Sequence, residues 1–128
     1  MTDVGVRLPA HLTASGRAIL AALSAAQVRA LYPDRSAFVD RHGIGPSSPS
    51  ALRALLGETR QRGYAVEEGE VTPGLASVAA AVLDHNGHPL AGVAVTFPVE
   101  DAPAPGRVAD ATRRTAALLT RRLRGSAA

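Results

Sequence analysis

The chain has 128 residues, a formal charge of +3 and no cysteine. That length supports one domain with a single modest core, and the missing thiols exclude disulfides and thiolate metal sites. No run of about 18 apolar residues provides a membrane span, and Met1-Thr2-Asp3-Val4 lacks the basic and apolar regions of a signal peptide. Every basic residue is arginine, which with the alanine, glycine and proline richness suggests a high-GC bacterial genome.

In chain order, Val4–Leu8 reads as a short strand. Thr13 to Leu23 reads as a helix with Thr13 as N-cap and Ala18, Ile19, Ala22 and Leu23 on one face. A short helix over Ala25–Leu31 stops before Pro33, and Ser36–His42 reads as a further helical turn ended by Gly43. Ser48 caps the next helix with Pro49 at its first position. Ala51, Leu52, Leu55 and Leu56 are its expected buried stripe, Glu58 and Arg62 are spaced i,i+4, and Gly63 ends it. Tyr64–Glu67 reads as a strand.

Asn86-Gly87 lies between the apolar runs Leu75–Leu83 and Leu90–Phe97, a strong hairpin signal. With Asn86 and Gly87 as the two central turn residues, Leu83 faces Leu90, Ala79 faces Ala94 and Ser77 faces Thr96. Alternation then places Ser77, Ala79, Ala94 and Thr96 on one face and Val78, Val82, Val93 and Val95 on the other. The first face is small and carries two hydroxyls, which suits a ligand floor but also a close-packed alanine sheet. After the Pro-rich Asp101–Gly106 segment, Arg107 to Arg124 reads as a helix. Val108, Thr112, Thr115, Leu119 and Leu123 form its expected apolar face, placed to cover the valines.

Chemistry-bearing clusters are few. Asp84, His85 and His88 flank the turn, but a tight turn splays them and no fourth metal ligand is near. The Ser47-Ser48 loop lacks a nucleophile elbow, and no glycine loop has the context of a phosphate cradle. The sequence therefore predicts no enzyme activity, no metal and no cofactor. Arg113, Arg114, Arg121, Arg122 and Arg124 read as a solvated helix face; with 3% aromatics and no Trp, direct DNA contact is not expected.

Several segments together carry a resemblance. They are Thr59-Arg60-Gln61-Arg62-Gly63-Tyr64-Ala65, Glu67-Glu68-Gly69-Glu70, Gly74-Leu75-Ala76-Ser77-Val78-Ala79-Ala80 and Asp84-His85-Asn86-Gly87-His88-Pro89, with Pro98. Upstream stand Gly5-Val6-Arg7-Leu8-Pro9, His11 and Gly16-Arg17-Ala18-Ile19-Leu20-Ala21. As a set they resemble the C-terminal effector-binding domain of IclR-type bacterial transcription regulators, over roughly residues 4–124. The resemblance implies an α+β fold, an antiparallel sheet with helices packed on it in the manner of GAF and profilin domains. It also implies one partial effector-binding domain over residues 1–128. The family's winged helix-turn-helix has no counterpart here, and neither do the opening strands and helix of its effector domain, so the chain reads as a fragment.

The resemblance further implies a small organic acid or aromatic effector between the sheet and the helix turn Ala14-Ser15-Gly16. The family's polar sheet positions fall on Glu67, Ser77, Ala94 and Thr96. Ala94 departs from the usual hydroxyl, which suggests a less polar or larger effector than a small keto acid. Ser15 as a simple capping residue, Glu67 as an exposed strand-end carboxylate and Tyr64 as a core tyrosine are the plainer alternatives. Self-association as a dimer or tetramer, DNA contact only through an absent N-terminal domain, no membrane contact and a cytoplasmic location complete the expectation. A truncated module that dimerises without a ligand is the competing one.

Overall fold

The computed structural model describes residues 8–38 and 43–126. The strand expected at Val4–Leu8, all but its last residue, lies outside them, as do Gly5, Val6 and Arg7 and the end of the Ser36–His42 turn. The described residues form four α-helices and a three-stranded antiparallel sheet of order β1-β2-β3, an α+β fold as expected.

Helix α1 (Ala14–Ala22) starts where the Thr13 side chain accepts the Gly16 N–H at 2.9 Å. Helix α2 (Ala25–Leu31) carries a reciprocal capping box: Ser24 Oγ accepts from Gln27 N at 3.1 Å and Gln27 Oε1 from Ser24 N at 2.9 Å. The turn expected from Ser36 is a 3-10 turn over Arg35–Ala37, capped by Asp34. Helix α3 (Pro49–Arg62) begins with Ser48 accepting the Ala51 N–H at 3.2 Å and ends at left-handed Gly63, φ 88°. Strand β1 (Ala65–Glu68) pairs with β2 (Leu75–Leu83), which pairs with β3 (Pro89–Pro98). A 3-10 turn over Val99–Asp101 leads towards helix α4 (Pro105–Ser126).

The expected register holds along most of the hairpin, with Ser77 opposite Thr96 and Ala79 opposite Ala94. It changes at the turn, where Leu83 pairs with Pro89 rather than Leu90. The reason is the Asp84 side chain, whose Oδ1 accepts from Asn86 N at 2.8 Å and His88 N at 3.0 Å. Gly87 N–H closes a turn onto Asp84 O at 3.0 Å, and Gly87 alone there has positive φ, 78°. His85 and Asn86 are thus the central residues, and Gly87 makes the bulge of a longer hairpin loop.

Helix α1 covers the small face of the sheet through Ala14 and Ala18 against Ala65 and Ala79. Its other side meets α3, where Leu20 and Ala21 pack with Leu52 and Leu56. Contact on two sides explains why Ala14, Arg17, Ala18, Leu20 and Ala21 are buried, while Ile19, Ala22 and Leu23 of the expected stripe are only half-buried. On α3 the exposed Ala51 drops out of its stripe and Thr59 joins it.

Helix α4 covers the opposite face, but not by the seam expected from its leucines. Ala109, Thr112 and Ala116 are buried, and Ala116 packs on Ala80 and Val82. Val108 is half-buried, Thr115 is exposed, and Leu119 and Leu123 remain 41% and 38% exposed. Small residues let the helix axis approach the sheet. Thr120 Oγ1 then accepts the Leu83 N–H at 3.0 Å, which leaves the leucines facing outward.

Candidate functional site

The first turn of α1, the end of β1 and the small face of the hairpin enclose a cleft of about 640 Å³. Ala14, Ser15, Glu67, Ser77, Ala94 and Thr96 all line it. These are six of the seven positions expected from sequence. Leu75 and Phe97 add apolar wall.

Gly16 is the exception. Its N–H is taken by the Thr13 cap, and a Cβ built there would lie 2.1 Å from Ala10 O. Its role in this fold is the close approach of the preceding turn, not cleft lining. Because the cap takes Gly16 N–H, Ala14 and Ser15 carry the first-turn donors that neither helix nor cap uses. Such donors, at the positive end of a helix dipole, favour an anion.

The floor carries a hydroxyl pair, Ser77 Oγ and Thr96 Oγ1 at 2.8 Å. Alternation puts both side chains on the α1 face, and the register places them opposite each other. Glu67, opposite Ser77 on β1, is 5% exposed rather than a solvated strand-end carboxylate. Burial pushes its carboxyl above the ordinary value of 4.5, while hydrogen bonds from Ser77 and the Glu70 N–H pull in the other direction. The site therefore offers a helix N-terminus, a hydroxyl pair and a carboxyl whose pKa burial raises, beside an apolar wall that includes Leu75 and Phe97.

One buried arginine supports this arrangement and was not anticipated. Arg17, 3% exposed, donates from Nε to His11 O at 2.8 Å, from Nη1 to Val66 O at 2.8 Å and from Nη2 to Glu70 Oε1 at 2.6 Å. It ties α1 to the chain on both sides of Glu67. A lone arginine among the apolar residues of α1 was the available signal, but its partner is 53 residues away. Gly92 was also missed: a Cβ there would stand 3.1 Å from Ser15 Cβ, so its absence lets α1 settle onto β3.

The remaining candidates lie elsewhere. Tyr64 is half-buried at the α3–β1 junction with the Arg62 guanidinium 5.1 Å from its ring centre, so it is no core tyrosine. His11 is buried, edge-on to the Tyr32 and Phe38 rings at 5.6 and 5.2 Å. His85 and His88 are exposed, and Asp84 directs its carboxylate to backbone N–H groups, which hold its pKa low. Among the described residues no group of three or more histidines and carboxylates is placed to hold a metal, and no helix is long and apolar enough to cross a membrane.

A family model described as the C-terminal domain of the bacterial transcriptional regulator IclR matches residues 1–119. The chain is 38% identical to the glycerol operon regulatory protein of Streptomyces coelicolor over 77% of its own length, but spans only 37% of that relative. The crystal structure of Thermotoga maritima IclR superposes with a TM-score of 0.84 at 25% identity, over 97% of this chain and 51% of that one. The inducer-binding domain of Acinetobacter PobR, in complex with 3-hydroxybenzoic acid, is alike in fold, with a TM-score of 0.75 at 22% identity over 92% of this chain and 69% of that one. These relatives are regulators of transcription rather than enzymes, and the chain belongs to the IclR family through its C-terminal domain.

Proposed function

We propose that this domain senses a small organic acid or aromatic metabolite in the cleft under the first turn of α1. The observation that carries the reading is the convergence of Ala14, Ser15, Glu67, Ser77, Ala94 and Thr96 on one cavity of about 640 Å³. The anionic end of the effector meets the first-turn N–H groups, and its body lies over Ala94 and Phe97. Without a hydroxyl at position 94, the cleft favours a larger or less polar molecule than a small keto acid. The inducer-binding domain of PobR, alike in fold, is in complex with 3-hydroxybenzoic acid, which supports an aromatic acid as the kind of molecule to test.

Effector binding shifts the population between two arrangements of the domain by its differential affinity for them. In a complete regulator that shift is passed to DNA-binding domains, so DNA contact does not come from this chain, and its place of action is the cytoplasm. Self-association as a dimer or tetramer is part of the proposal. It is supported by the outer edge of β3, which pairs with no strand among the described residues, and by exposed Leu118, Leu119 and Leu123.

A thermal-shift screen with small carboxylic and aromatic acids tests the reading, because ligand binding to the folded state raises Tm by mass action. We expect at least one acid to raise Tm by several degrees in the wild-type chain and to do nothing for Ser77→Leu. A cooperative melt unmoved by every acid, together with a dimer by light scattering, would instead favour a ligand-free association module.

A further inference from the structure

A second opening lies at the other end of α1. Strand β1 covers only half of β2, since its pairing stops at Ala65 opposite Ala79 and the chain turns away through Gly63 into α3. Ala80–Leu83 thus has no partner strand on that edge among the described residues. Where β1 would continue there is a trough of about 890 Å³, walled by α1, the end of α3 and α4.

Three properties of this trough point to one kind of occupant. Its walls are small: Ala18 and Ala21 of α1, Ala80 and Ala81 of β2, Ala116 and Ala117 of α4. Alanine walls admit a backbone rather than a bulky side chain. The β2 edge offers main-chain groups: by alternation Ala81 and Leu83 point into the trough, and the Leu83 N–H is already held by the Thr120 hydroxyl. Ala81 keeps the edge position beside it.

The third property is charge. Arg60, Arg113, Arg114, Arg121 and Arg124 line the trough against a single carboxylate, Asp110. Two of them stand at helix C-termini. Arg60 Nη1 donates to Ala21 O at 3.2 Å, and the Arg113 guanidinium lies over Gly63, about 3.1 Å from where a Cβ would stand. Among the described residues neither Arg114 nor Arg121 is in ion-pair contact with a carboxylate. They are two turns apart on α4, about 10 Å, between the roughly 7 and 13 Å that separate like-facing residues two and four apart in an extended chain.

We propose that this trough binds an acidic, extended segment of another polypeptide, which adds a short strand to β2 in line with β1 and pairs its carboxylates with Arg114 and Arg121. Main-chain bonds to the open edge supply part of the affinity, and the arginines select the sign of charge. The site is separate from the effector cleft: Ala81, Ala117, Arg114 and Arg121 are not among its lining residues.

The test is fluorescence anisotropy of a labelled octapeptide of alternating glutamate and valine, with the whole chain at about 0.15 M salt, where surface charges are screened beyond roughly 8 Å. Saturable binding is expected, about tenfold or more weaker for the doubly substituted Arg114→Glu/Arg121→Glu chain. It should also be lost for the same peptide N-methylated at alternate amides. In the wild-type chain, amide shifts on titration should concentrate at Ala80–Leu83 and along the arginine side of α4, a readout that needs no variant. Equal binding of a lysine–valine peptide, or no binding of either, would overturn the proposal. Undiminished binding of the N-methylated peptide would replace strand addition by a bare polyanion site.

Discussion

At its first turn α1 looks onto hydroxyls and a buried carboxyl; at its last turn it looks onto guanidinium groups. The cleft also has bulky apolar wall from Leu75 and Phe97, where the trough has alanines, but the sharper difference between them is polar. The N-terminal cleft presents backbone donors with Glu67, Ser77 and Thr96, a mixed set suited to a small molecule with an anionic end and a neutral polar group. The trough at the other end presents the Ala21 carbonyl, already met by Arg60, and further arginines. A nine-residue helix can serve two such sites because its dipole has two ends. A helix N-terminus favours an anion, and the C-terminus of α1 has cations beside it from α3 and α4.

Four substitutions, with a fifth as control, would break or sharpen that contrast. Arg17→Met should have the largest effect, because it strips Glu70 of its partner and removes donors to His11 O and Val66 O. A loss of about 3–5 kcal/mol is expected by denaturant titration, with the cleft end affected first. Retention of wild-type stability would mean that the ion pair does not hold the N-terminal half of α1 in place. Gly16→Ala comes next, at about 1–3 kcal/mol, since its Cβ would overlap the Ala10 carbonyl. The same substitution at Gly57, which has nothing within 4 Å of the added carbon, is the stabilising control.

Arg60→Ala probes the other end and should cost about 0.5–1 kcal/mol, the range of an exposed charge near a helix C-terminus. A larger loss would say that the trough end carries more of the fold than its exposure suggests. Glu67→Gln is expected to change the slope with pH more than the stability itself. The carboxyl is raised by burial above 4.5, so the folded state holds more protons than the unfolded one. Stability must therefore fall as pH rises from about 4.5 through the raised value and level off above it. In Tm curves against pH, the variant should gain on the wild type across that window; parallel curves would show Glu67 to be solvated.

The fold was largely legible in the sequence because its signals are local. Ser48-Pro49, Gly63 and the alternation of β2 and β3 each act within a few residues, and they place Ser77 and Thr96 on one face without any tertiary information. Register was misread only where a side chain intervened, at Asp84. The α4 seam was misread because leucine outweighs alanine in an apolar count, whereas close helix–sheet contact favours the alanines. Arg17–Glu70 was invisible, since nothing in sequence joins residues 53 apart. The cleft was found through register and resemblance together. The trough could not be found that way, because it is made by a strand that stops.

The Asp84 bracket at the hairpin turn also bears on how the chain folds. Its bonds reach two and four residues, and the Ser77–Thr96 pair closes over only 19. The roof of the cleft depends on Arg17 meeting Val66 and Glu70 across 49 and 53 residues. Loop closure makes short contacts the cheaper to form, so the floor can take shape while α1 is still unattached. Until α1 attaches, the small face of the sheet that Ala14 and Ala18 cover in the finished fold is open. Slow meeting of Arg17 with its partners would prolong that exposure, and with it the chance of neighbouring chains packing on the uncovered face.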